Sequence, residues 1–161
     1  MEQKTKTIEL VRYNLWANKR LISWLKDNDD ELMSKKCASS FSSILQTLDH
    51  MIDGQLFYYA ALKEIPIEKP WNNSLEKIYK GLIEQSSDFV TYVEHQDTFE
   101  DSRLIRINRL KGNFPQFEII QHCMNHSTFH RGQVITIGHQ LLLTKAPSTD
   151  MLFYFIERNK H

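Results

Sequence analysis

The chain has few residues that break helices: five glycines and four prolines among 161 residues. That scarcity argues against many strands and tight turns and favours long helices. Two cysteines, Cys37 and Cys123, are too few for a disulfide framework. A buried free cysteine behaves mainly as a small apolar residue, so Cys123 is read neither as a nucleophile nor as a ligand. No apolar run approaches the roughly 20 residues that span a bilayer, and the N-terminus lacks the apolar core of a signal peptide. A cytoplasmic location without a membrane partner is therefore expected. Net charge is also lacking, because 20 basic residues balance 20 acidic ones. Nothing in that balance draws a polyanion, so no nucleic-acid partner is expected. Internal repeats and low-complexity tracts are absent. The length suits a single helical domain over residues 1–161 with one sizeable core.

What is present is helical periodicity. Residues 7–26 read as a first helix, with Leu10, Tyr13, Ala17, Leu21 and Trp24 recurring at three and four residues. Trp16 falls outside that face and is expected to pack at a bundle edge or a subunit interface. Asn14 and Asn18, one turn apart near the apolar face, read either as polar core residues near a site or, the favoured reading, as residues at the edge of that face. Residues 27–36 read as a polar linker. Ser39, Ser40, Ser42 or Ser43 caps a second helix over 41–63, whose apolar set is Ile44, Leu45, Leu48, Ile52, Leu56 and Tyr59. Pro66, Pro70 and the stretch 71–74 interrupt the pattern, and Ser74 caps a third helix over 75–94. Residues 101–111 form either a short hairpin strand or an ordered loop. Residues 112–115 read as a turn into a fourth helix over 115–143, with Pro115 in its first turn. Ser148 or Thr149 caps a short last helix bearing Leu152, Phe153, Phe155 and Ile156. The expected fold is all-α: a four-helix bundle with a short C-terminal extra helix, and a long crossover loop or small hairpin before the fourth helix.

Three of the seven histidines, His122, His126 and His130, lie on the fourth helix at a spacing of four. Four residues turn a helix by about 400°, so the imidazoles drift only about 40° per step and form a stripe. Ile119, Gln133 and Ile137 share that stripe, which points it inward. Two histidines at i and i+4 can reach one metal ion, and an ion that keeps an open position takes three protein ligands. His126 and His130 are the natural pair, and the third ligand must come from another helix. His50 stands on a mixed face of the second helix with Thr47, Gly54 and Phe57 and is the inward candidate found. Gly54, one turn on, leaves space beside it. His122 is the rival and is assigned to the pocket wall. Asp53 is close enough to orient an imidazole, or is simply an exposed helical carboxylate. Gln133 lies on the stripe and can contact a ligand or substrate. Arg131 lies off it and is expected to pair with a carboxylate of a neighbouring helix or subunit. Gly132 is expected to let another helix approach closely. His95, His139 and His161 read as solvated. The plain alternative is that His126 and His130 are core histidines satisfied by hydrogen bonds.

The segment Asn125-His126-Ser127-Thr128-Phe129-His130-Arg131-Gly132-Gln133 resembles the signature of the DinB/YfiT-like family of metal-dependent proteins. Tyr13-Asn14-Leu15-Trp16-Ala17-Asn18, Ile44-Leu45-Gln46-Thr47-Leu48-Asp49-His50 and the C-terminal stretch from Thr149 to Phe155 resemble further family segments in the same order. The resemblance implies a four-helix bundle, usually a homodimer, with a metal held by three histidines. Carried over residue by residue, these are His50, His126 and His130.

Characterised relatives are thiol-dependent transferases and isomerases that use low-molecular-weight thiols such as bacillithiol or mycothiol. The resemblance thus implies one divalent transition metal and a low-molecular-weight thiol acting on an electrophilic small-molecule substrate. Imidazole ligands suit zinc, nickel, iron and copper, of which zinc or nickel is the expected ion. A metal-dependent hydrolase and a non-catalytic metal-binding stress protein are the alternatives. The residues identify no general base.

Overall fold

A computed structural model describes residues 2–69 and 74–160. The expectations for Pro70, for 71–73 and for His161 lie outside the described residues. The elements among the described residues are α1 (Glu2–Lys26), α2 (Asp30–Met33), α3 (Ile44–Lys63), α4 (Leu75–Glu94), β1 (Ser102–Ile107), β2 (Leu110–Pro115), α5 (Gln116–Gln140) and α6 (Met151–Arg158). The four long helices form a ring in which α1 and α3 each pack against both α4 and α5. This is the expected all-α bundle, with the hairpin form of the connection before its fourth long helix.

Several boundaries differ from expectation for local reasons. The first helix begins at Glu2, where the Thr7 hydroxyl donates to the Gln3 carbonyl (2.9 Å) and keeps the earlier turn helical. The supposed linker contains the single turn α2, because Asp29 accepts from the Glu31 amide (3.0 Å) and Met33 is buried beneath it. Ser43 is the cap of α3 and accepts from the Gln46 amide (3.2 Å), while Gln46 Oε1 accepts from the Ser42 amide (3.2 Å). This reciprocal cap starts the helix at Ile44 and leaves Phe41 outside it.

Residues 112–115 are strand and not turn. The antiparallel register runs from Ser102 opposite Pro115 to Ile107 opposite Leu110. The chain reverses at Asn108, whose φ of 55° suits asparagine. Helix α5 starts one residue late, at Gln116, because the Gln116 and Phe117 amides donate to the Asp101 and Phe99 carbonyls (3.0 and 3.2 Å). It also stops early, at Gln140. Leu142 turns left-handed (φ 65°), and the Leu142 and Leu143 amides close back on His139 and Gly138 (3.1 and 2.9 Å). These bonds satisfy the last carbonyls as a Schellman motif does.

The last helix is capped at Asp150, not at Ser148 or Thr149. It buries Tyr154, whereas Leu152, Phe153 and Ile156 stay exposed. Tyr154 and Tyr13 flank Trp16 at ring distances of 5.8 and 6.2 Å, and the Trp16 indole donates to Glu157 (2.8 Å). Trp16 thus packs at the bundle edge.

Asn14 and Asn18 are fully buried, not at the edge of the apolar face. The reason is Arg131, whose side chain is 0% exposed. Its Nη1 donates to Asn14 Oδ1 (2.6 Å) and Asn18 Oδ1 (3.1 Å), and its Nη2 donates to Thr128 Oγ1 (2.7 Å) and Tyr13 Oη (3.2 Å). Among the described residues these neutral oxygens, and no carboxylate, receive the guanidinium. The chain of bonds continues. Asn18 Nδ2 donates to Ser86 Oγ (2.9 Å), Ser86 Oγ lies 3.2 Å from Gln55 Oε1, and Gln55 Nε2 donates to Ser127 Oγ (3.3 Å). A buried polar belt therefore crosses from α5 to α1, α4 and α3 and returns to α5. Gly132 meets no close neighbour among the described residues, so its expected role in helix approach does not hold there.

Candidate metal centre

The triad sits where α3 faces α5. His126 and His130 are one turn apart on α5, and His50 reaches across from α3. His126 Nε2 lies 3.1 Å from His50 Nε2 and 3.0 Å from His130 Nε2. One ring nitrogen from each lies within 4.8 Å of those of the others, a set that can hold a metal ion. A single proton can bridge one such pair at a time, whereas a cation satisfies three converging lone pairs together. Tetrahedral coordination at about 2.0–2.1 Å would set two imidazole nitrogens about 3.3 Å apart. The observed spacings need only a slight opening to match that geometry.

The surroundings favour the form of histidine that coordinates. Burial, then the neighbouring His130, His50 and His122, pull His126 down to about 4. Burial and His130 lower His50, against the opposing pull of Asp53 and Asp49. Burial also lowers His130, with Gln133 opposing it. Neutral imidazoles with free lone pairs result. Gln133 Oε1 accepts from His130 Nδ1 (2.7 Å), while Gln133 Nε2 donates to Ser40 Oγ (3.4 Å). With its proton held at Nδ1, His130 turns an unprotonated Nε2 toward the other rings.

Gly54 serves a neighbour across the interface. A Cβ there would lie 2.9 Å from His126 Cε1 and 3.2 Å from His126 Nδ1. The missing side chain makes room for the His126 ring across the interface, and not, as expected, for His50 on the same helix. Asp53 points to Lys69, which donates to Asp53 Oδ1 (2.8 Å) and Asp49 Oδ1 (2.5 Å). His122 is exposed, and its ring lies 5.1 Å from that of Tyr58 and 6.3 Å from that of His126. His95 and His139 are exposed, and Cys123 is buried, with burial pushing its thiol up.

Sequence reasoning did not single out Phe41. Its ring stacks on His50 (4.3 Å between centroids) and meets His130 edge-on (5.6 Å). A phenylalanine just before a helix cap carries no spacing signal that would mark such a role. His50, His126 and Gly54 also line a cleft of about 610 Å³, together with Tyr58, Ile107 and Lys69. No helix among the described residues is long and apolar enough to cross a membrane.

The sequence is similar to that of a known protein over nearly its whole length. The Protein DinB of Bacillus subtilis (strain 168) is 23% identical over 165 residues, which cover 94% of this chain and 95% of that protein. The model of the DinB family matches residues 1–159, nearly the whole length, and the chain belongs to the DinB family.

Proposed function

We propose that this protein binds one divalent transition metal, zinc or nickel, through His50, His126 and His130 and uses it as a metal-dependent thiol transferase. The observation that carries the proposal is the convergence of the three Nε2 atoms beside a cleft. Three protein ligands leave a coordination position open, as catalytic sites require and structural sites usually do not. A divalent ion in such a set supplies Lewis acidity that lowers the pKa of a bound water or thiol. The chain's own residues have simpler tasks. His50 and His126 present neutral nitrogens at the cleft, Gln133 holds the tautomer of His130, and Phe41 shields His50 and His130 from water. A low-molecular-weight thiol would lose its proton to solvent, and its sulfur would attack an electrophilic carbon of a small molecule. A carbon–sulfur bond forms as the bond from that carbon to its leaving group breaks, and the leaving group departs with the electron pair, to be protonated by solvent. Resemblance to thiol-dependent relatives supports the thiol; the geometry supports the ion.

Metal analysis of the purified chain tests the first part. About one ion per chain is expected, with loss in His50→Ala, His126→Ala and His130→Ala; retention in all three variants overturns the site. For the second part, the metal-loaded chain is offered a panel of thiols with a model electrophile. Faster thiol loss than with metal-free protein supports transfer. Hydrolysis of an activated ester without thiol consumption would favour a hydrolase instead. A cytoplasmic homodimer belongs to the same proposal. The exposed Leu152, Phe153 and Ile156 on one side of α6 support self-association, which light scattering measures.

A further inference from the structure

Beside the histidine cleft lies a second cavity of about 320 Å³, lined by Tyr58, Ile105, Ile107, Phe114 and Ile119. Glu118, His122 and the hydroxyl-bearing Tyr58 are the residues with polar groups in its wall. Its volume is at the small end of the roughly 300–1,000 Å³ typical of ligand pockets. The hairpin forms one side of it, and α3 and α5 form the other. Tyr58 and Ile107 line both this cavity and the cleft, so the two share a wall. The rings of Tyr58, His122 and His126 run along that wall at successive distances of 5.1 and 6.3 Å. A molecule that fills the apolar cavity and passes this wall brings its other end to His126.

We infer that the cavity is a binding site for the apolar arm, alkyl chain or single aromatic ring, of the small molecule whose polar end meets the histidine triad. The inference rests on the metal reading only for which end of that molecule is polar. The apolar walls give such an arm a favourable exchange with water and offer a short polar group few partners, namely Glu118, His122 and the Tyr58 hydroxyl. The substrate class is therefore amphipathic, and the hairpin is the specificity element.

The test is a titration with straight-chain alkyl hydroxamates of two to eight carbons, followed by methyl NMR of the full chain with and without zinc. Affinity is expected to rise about three- to fourfold per added methylene until the cavity is full. The Ile105, Ile107 and Ile119 methyl signals should move with the longer members. Zinc should add the same factor at every chain length, and Ile107→Trp should flatten the dependence on length. The wild-type titration stands alone if that variant does not fold. Affinity independent of chain length, or methyl shifts confined to α6, overturns the inference. So do methyl shifts that follow protein concentration without any hydroxamate, because a second copy would then fill the cavity. A length dependence without any effect of zinc leaves the cavity standing and defeats the metal reading.

Discussion

Gln133 Oε1 lies 2.7 Å from His130 Nδ1, and this single contact decides which nitrogen of His130 is free. Outer partners of this kind typically contribute 10- to 100-fold to metal affinity. Gln133→Leu should therefore weaken zinc binding by about that factor while the other two histidines remain in place. Competition against a chromophoric chelator measures it; unchanged affinity would show that His130 needs no such partner.

Gly54→Ala separates the site from the fold. Alanine in place of glycine favours a helix by about 1 kcal/mol. The added methyl, however, would lie 2.9 Å from His126 Cε1 and push that ring out of the triad. The metal-free variant should melt at or above the wild-type temperature, yet bind metal at least tenfold more weakly. Calorimetry and the chelator assay read the two effects independently.

Acidity should destabilise the metal-free protein through the same histidines. Folding holds His126 down to about 4, with burial as the main cause, against an ordinary histidine value of about 6.5. The unfolded chain thus binds protons first. The stability contributed by the neutral ring is present above about pH 6.5 and is lost as pH falls toward 4. Urea unfolding midpoints at pH 7.5, 5.5 and 4.5 should fall in that order. The fall should be smaller in His126→Leu, a comparison that cancels the background from carboxylates.

Arg131→Met removes a cation that is fully buried and bonded to four oxygens, leaving Asn14 and Asn18 without their donor. Each buried polar group left unpaired costs about 1–3 kcal/mol. A loss of roughly 3–5 kcal/mol is expected from the chemical denaturation curve. Arg131→Lys should recover only part of it, because an ammonium cannot reproduce the planar fork.

The contrast between Arg131 and the histidines shows what local spacing carries. His126 and His130 declare themselves because a helix repeats within four residues, and Gly54 stands out because glycine is unfavourable inside a helix. The four long helices follow from the same periodicity. Arg131 meets Asn14 across a separation of 117 residues, and no periodic rule links them. Without that partnership, two buried asparagines look like edge residues and a buried arginine looks like one in need of a carboxylate. His122 also shows the limit of the stripe. Two steps of about 40° carry it off the inward direction, to an exposed position beside Tyr58. Residues 112–115 read as a turn because glycine, asparagine and proline cluster there, yet strand pairing with β1 decides their conformation.

The polar belt has a consequence for engineering. Apolar faces alone let helices slide past one another by a turn at little cost, whereas directional bonds accept one alignment. Ser127 and Arg131 each follow a triad histidine by one residue, so the belt that aligns α5 also sets the height of His126 and His130 opposite His50. The alignment of the scaffold therefore rests on bonds that involve no ion. The positions of His50, His126 and His130 can be rewritten, for instance as carboxylates that prefer harder cations, without redesigning the bundle that aims them.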